Sequence, residues 1–160
     1  MAYVLDACTL IEAKNRYYSF RVCPGFWDWL LLERERGNVL SIEAVRDELE
    51  DPDAKEWADD HATFFDSNDD SRVAVVSSWV YSQSRFTQAA REAFLRKADP
   101  RVISYALARG HVLVTQERPA PQSKKKVMIP DVCDAIDVVW KDTFQVLGEL
   151  RARFIMDTRP

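Results

Sequence analysis

The sequence predicts an α/β protein with a central parallel sheet of about four to five short strands and helices on both faces, in a single domain spanning residues 1–160. Three observations carry that expectation. Short apolar runs stop at polar residues, as in Tyr3-Val4-Leu5 before Asp6 and His111-Val112-Leu113-Val114-Thr115 before Gln116. Between such runs lie stretches of helical periodicity punctuated by glycine or proline. Finally, 160 residues, 47% hydrophobic and 30% charged, suffice for one sizeable core and exclude a disordered or collagen-like chain.

Taken in order, residues 3–5 read as a buried strand whose carboxyl edge delivers Asp6. A helix is expected over residues 9–18, and another opens at Pro24 and is closed by Gly37. Asn38-Val39-Leu40-Ser41 reads as a second strand, followed by a helix over residues 42–50 with Ile42, Val45 and Leu49 on one face. Pro52 ends that helix. Residues 54–65 form the next, and Ser67-Asn68-Asp69-Asp70-Ser71 is a turn before helical segments over 73–83 and 86–96. Ala98-Asp99-Pro100 starts a helix that Gly110 stops, and residues 111–115 are a buried strand. Residues 116–126, with two prolines and three consecutive lysines, read as an exposed loop, and Val127-Met128-Ile129 as a short strand. A long last helix is expected over residues 131–155, its apolar face formed by Val132, Ile136, Val139, Leu147, Leu150 and Phe154, with a break near Gly148. The domain core then lies within residues 1–137.

Several function classes drop out early. Cys8, Cys23 and Cys133 are odd in number and lack C-x-x-C or Cys/His spacing, which argues against a disulfide frame or a zinc site and for buried thiols in a reducing cytosol. Asp6 falls where a signal peptide needs its apolar segment, and no apolar run approaches membrane-spanning length, so cytoplasmic residence without membrane contact is expected. With four glycines and no Gly-x-Ser-x-Gly, neither a phosphate loop nor a serine nucleophile is indicated. His61 and His111 have no helical metal-ligand partner and read as structural.

The 22 Lys and Arg against 26 Asp and Glu leave a net charge of −4, which disfavours a protein that grips nucleic acid over its whole surface. The charge is uneven, however. Residues 43–70 hold twelve acids and two bases, whereas residues 85–126 hold ten bases and three acids. The basic stretch is either a solvated face or a guide for a phosphate backbone toward acidic chemistry. Hard cations such as Mg²⁺ and Mn²⁺ need several oxygen ligands converging from separate elements. The candidates are Asp6 after the first strand, Glu48 in the following helix, Asp99 at a helix start, Glu117 after the late strand and Asp131 at the last helix. Asp99 before Pro100 and Asp131 after Pro130 also suit plain helix capping. Asp6 has no obvious capping work to do.

Four blocks stand in the order expected of a PIN domain: Val4-Leu5-Asp6-Ala7, Val45-Arg46-Asp47-Glu48-Leu49, the run from Ala98-Asp99-Pro100 to Ala106, and Val112-Leu113-Val114-Thr115-Gln116-Glu117. The stretches Glu12-Ala13-Lys14-Asn15-Arg16-Tyr17-Tyr18, Pro24-Gly25-Phe26-Trp27-Asp28-Trp29-Leu30 and Lys126-Val127-Met128-Ile129-Pro130-Asp131-Val132-Cys133 resemble an uncharacterised PIN-like branch. The resemblance implies a ribonuclease dependent on Mg²⁺ or Mn²⁺, of the kind found as VapC-type toxins. Asp6, Glu48 and Asp99 take the first three acidic positions. Glu117 takes the fourth, with Asp131 serving instead or jointly, so the implied metal ligands are Asp6, Asp99, Glu117 and Asp131. Glu48 binds metal or orients the attacking water. Hydrolysis would leave a 5′-phosphate and a 3′-hydroxyl. Two departures stand out: Arg118-Pro119 follows Glu117 where the family has an acid or Asn and an aromatic, and Cys8 replaces a usual Ser, Thr or Asn.

Substrate contacts are expected from Lys14, Asn15 and Arg16 beside two tyrosines, from Thr115, and from Lys124 and Lys125 in the lysine loop. The implied partners are an RNA substrate, a cognate antitoxin and a second copy of the chain. Two other classes compete with this reading: a PIN-shaped binding or regulatory protein without turnover, and a structure-specific DNA nuclease on the same fold.

Overall fold

The structure, a computed structural model, describes residues 1–159. Five parallel strands form the sheet: β1 (Tyr3–Leu5), β2 (Val39–Ile42), β3 (Phe65–Asp66), β4 (Val112–Val114) and β5 (Trp140–Lys141), in spatial order β3-β2-β1-β4-β5. Every residue of β1, β2 and β4 is buried. Because alternate strand residues point to opposite faces, both faces must be covered, which is why these strands read as unbroken apolar runs. The register pairs Tyr3 with both Val39 and Val112, so β1 is the central strand, and its residues belong to one continuous hydrophobic core.

The helices follow the predicted punctuation closely through the first two thirds of the chain. After β1, α1 (Ala7–Glu12) begins two residues before the predicted start and runs into a π-helical turn, Ala13–Tyr17. Helix α2 (Pro24–Glu35) begins at Pro24, and Gly37 takes φ +75°, the left-handed conformation expected just past a helix end. Between β2 and β3 lie α3 (Glu43–Glu48) and α4 (Pro52–Asp60). The α4 N-cap is Asp51, whose carboxylate accepts the Ala54 N–H. The Asp70–Arg72 turn, α5 (Val73–Ser82), α6 (Gln88–Arg96) and α7 (Asp99–Arg109) complete the long connection before β4. Gly110 closes α7 with φ +64°.

The carboxyl-terminal third departs from the sequence reading. Val127 and Met128 form no strand; they lead into α8 (Ile129–Ala135). The long helix over residues 131–155 does not exist. Asp137, at φ +60°, turns the chain, Trp140 and Lys141 join the sheet beside Leu113 and Val114, and α9 (Thr143–Glu149) follows. Asp142 caps α9 through a reciprocal capping box with Gln145. The apolar spacing over residues 132–154 was therefore shared between two short helices and an edge strand. The other unpredicted strand, β3, is two residues long and is held by Arg34 and Tyr105, both bound to Asp66 (2.5 and 2.6 Å). Among the described residues no helix is long and apolar enough to cross a membrane.

Candidate active site

In the order β3-β2-β1-β4-β5 the chain direction of assembly reverses between β1 and β4, and at such a switch point α/β sheets form their sites in the crevice outside the carboxyl ends of the strands. The sequence places an acid at each lip. Asp6 follows β1, with its N–H bonded to the Val114 carbonyl (3.1 Å). Thr115 and Glu117 follow β4; the Glu117 N–H donates to Thr115 Oγ1 (3.1 Å), and Glu117 Oε2 accepts the Ile129 N–H (2.8 Å). Helix α3 brings Glu48, whose Oε2 accepts the Ala98 N–H (3.2 Å) and so ties α3 to the start of α7, where Asp99 is the first residue.

Capping roles are the reverse of those expected from sequence. Asp6 is the N-cap of α1, and its Oδ1 accepts the Thr9 N–H at 2.7 Å. Asp99 caps nothing: Ala98 holds the N-cap position without a side-chain bond. Asp131 lies inside α8, and both its carboxylate oxygens accept the Ala120 N–H (3.1 and 3.0 Å), which anchors the loop after β4.

The electrostatics single out one group of four. Burial pushes the Asp6 carboxyl up to about 6; Thr115 and Thr9 beside it pull downward, and Glu117 adds to the rise. Asp99 is pushed up to about 8, first by desolvation and then by the charges of Glu117, Asp6 and Glu48, with Lys97 opposing. Like charges assembled in a partly dry crevice are unfavourable unless a cation joins them. Asp6 Oδ2 is also buried without a hydrogen-bond partner. An orphaned carboxylate oxygen beside further carboxylates is the donor chemistry of a hard divalent cation such as Mg²⁺ or Mn²⁺. Among the described residues no three His, Cys, Asp or Glu side chains are arranged so that they could hold a metal ion as they stand. Asp131 is not among the charges that raise Asp6 or Asp99.

Cys8 lies beside the same acids. Burial and the charges of Asp6, Glu117 and Glu12 raise its thiol to about 12, so it is a neutral side chain and not a nucleophile. The three cysteines are unpaired.

Of the expected substrate contacts, Thr115 stands beside Asp6, fully buried, and the lysine loop reaches Glu117 through Lys126 (3.7 Å). Lys14 is committed to Asp51 and Asp53 (2.8 and 3.5 Å), and Arg16 to Glu12 (3.0 Å), while Asn15 is exposed. Lys124 and Lys125 are exposed, and the Lys124 carbonyl accepts the Thr87 N–H (3.0 Å). The sequence reading missed a groove of about 530 Å³ next to the crevice, lined by Glu48 and Ala98 and by three cations, Arg96, Lys97 and Arg101. Those cations belong to the basic stretch over residues 85–126, but nothing in that run distinguishes them from the lysine loop; the corner between α6 and α7 does.

Fold and site together define an α/β protein that gathers four carboxylates at the switch point of a parallel sheet. The chain belongs to the family described as a domain of unknown function (DUF4411), whose model matches residues 3–154. No curated protein and no solved structure matches it.

Proposed function

We propose that the protein is a metal-dependent endoribonuclease of the PIN type, hydrolysing RNA phosphodiesters with Mg²⁺ or Mn²⁺. The observation that carries this reading is the convergence of Asp6, Glu48, Asp99 and Glu117, with the Asp6 Oδ2 buried and unpartnered. Asp6, Asp99 and Glu117 would hold the cation. When bound, it supplies a Lewis acid that acidifies water and offsets charge on the phosphate. The α1 cap bond and the Thr115 and Thr9 side chains orient Asp6 and leave one oxygen for the ion. Glu48, bonded to the Ala98 N–H through one oxygen, would accept a proton from the attacking water through the other. Asp131 is assigned to holding the loop, so Glu117 is the fourth acid.

The test is cleavage of a mixed-sequence single-stranded RNA by purified protein with Mn²⁺ or Mg²⁺. Cleavage abolished both by EDTA and by Asp6→Asn supports the reading. No cleavage with any metal favours a binding protein without turnover, and a preference for DNA favours a DNA nuclease on the same fold. The size of the chain and its PIN resemblance extend the proposal to the toxin of a toxin–antitoxin pair; growth unaffected by expression of an active enzyme would refute that extension.

A further inference from the structure

The groove beside the crevice carries an inference that rests on the nuclease reading and goes beyond it. Helix α3 contributes Asp47 and Glu48 to its lining, whereas the α6–α7 corner contributes Arg96, Lys97 and Arg101. Arg96 in the last turn of α6 and Lys97 at its C-cap suit the helix dipole, whereas Arg101 sits in the first turn of α7, where the dipole disfavours positive charge. Close ion pairs hold neither Lys97 nor Arg101 tightly. Lys97 makes none among the described residues, and the partner of Arg101, Asp70, lies 3.5 Å away with both side chains about half exposed. The groove surface is more polar than apolar, with Asp70 joining Asp47 and Glu48 in its lining, and Val73, Leu95 and Pro100 give it a small apolar floor.

We propose that this groove is the subsite for one unpaired nucleotide next to the cleaved bond, with Lys97 and Arg101 positioning its phosphate and the apolar floor receiving its base. Glu48 belongs both to the groove and to the carboxylate group, so a strand seated on the α6–α7 corner continues into the crevice. The volume of about 530 Å³ suits a single nucleotide and is far too small for a turn of duplex. Unpaired bases are recognised by stacking on such surfaces while cations hold the backbone.

The experiment measures binding of a fluorescent single-stranded oligoribonucleotide by anisotropy, over a range of salt, in the Asp6→Asn background, which separates binding from turnover. Lys97→Gln and Arg101→Gln are each expected to raise Kd about five- to tenfold and to lower the salt slope by about one, as for a lost phosphate contact. In the otherwise wild-type enzyme, Lys97→Gln should raise KM with kcat within about twofold, the signature of a uniform-binding contact. Unchanged binding in both groove variants, equal affinity for duplex, or no binding at all overturns the proposal. Cleavage that persists while the groove variants bind normally refutes the subsite alone; oligonucleotide bound through Lys97 and Arg101 but never cleaved refutes the nuclease reading alone.

Discussion

Replacing Asp99 with Asn should stabilise the metal-free protein while destroying the metal site. Asp99 moves from the usual value of 3.8 to about 8 on folding. Its folded form therefore keeps a proton that the unfolded chain releases above pH 4. The contribution of Asp99 to stability is fully present below that pH and is lost as pH rises through the interval up to about 8. At ~1.4 kcal/mol per unit the whole interval is worth about 5–6 kcal/mol, of which about 4 have been lost by pH 7. Solvent reaches part of Asp99 and its neighbours can rearrange, so the screened gain for Asp99→Asn at pH 7 is on the order of 1–3 kcal/mol. That corresponds to a rise in Tm of roughly 2–12 °C for a chain of this size. The assay is urea unfolding in EDTA at pH 5, 7 and 8.5 for both proteins. The wild type should weaken across the series by more than the variant does. Added Mn²⁺ should reverse the ranking, since a ligand at 100 times its Kd stabilises the native state by about 2.7 kcal/mol and the variant lacks a ligand for it. Equal or lower stability of Asp99→Asn in EDTA at pH 7, with a parallel pH dependence, would refute the assignment of Asp99 to a mutually repelling carboxylate group.

Activity measurements should separate the two candidates for the fourth acid: Glu117→Gln is expected to lower kcat by at least about 100-fold, because it removes charge from the group, while Asp131→Asn, which keeps an oxygen for the Ala120 N–H, should change it less than about tenfold. Asp134→Asn should lie below both, since Asp134 accepts the Trp140 Nε1–H and is not among the charges that raise Asp6 or Asp99. Ser104→Ala should cost about 1–3 kcal/mol in denaturant unfolding, because the fully buried hydroxyl donates to the Asp69 carbonyl (2.6 Å) and accepts the Arg72 N–H (3.0 Å). Asp142→Ala should lower stability by about 1 kcal/mol through loss of the α9 cap, detectable in the same assay.

The sequence by itself determined the class of fold and most of its central elements, because burial on both faces forces β1, β2 and β4 to be short unbroken apolar runs, and those runs are visible without any partner. Pro24, Gly37 and Gly110 marked helix ends through backbone constraints that are local. Asp6, Glu48, Asp99 and Glu117 were also legible as candidates, since each abuts a strand or helix end. Edge strands were not. Phe65–Asp66 and Trp140–Lys141 are two residues each and are defined by pairing with strands more than twenty residues away, a relation absent from local periodicity. Asp142-Phe144 spacing hid a helix start that the Asp142 and Gln145 pair could have revealed.

Only tertiary structure decided which charges act together. Lys14 and Arg16 follow the first acid closely in sequence, yet neighbouring carboxylates consume them. Lys97 and Arg101 look like any other members of a basic stretch until α3 folds against the start of α7 and leaves a groove between acids and cations. The same holds for Asp6: its strand and cap are local, but the burial that orphans one oxygen and the charges that raise Asp99 come from segments as much as 111 residues apart. Electrostatic coupling depends on distance in space and on solvent exclusion, and neither quantity exists until the sheet has brought its carboxyl ends together.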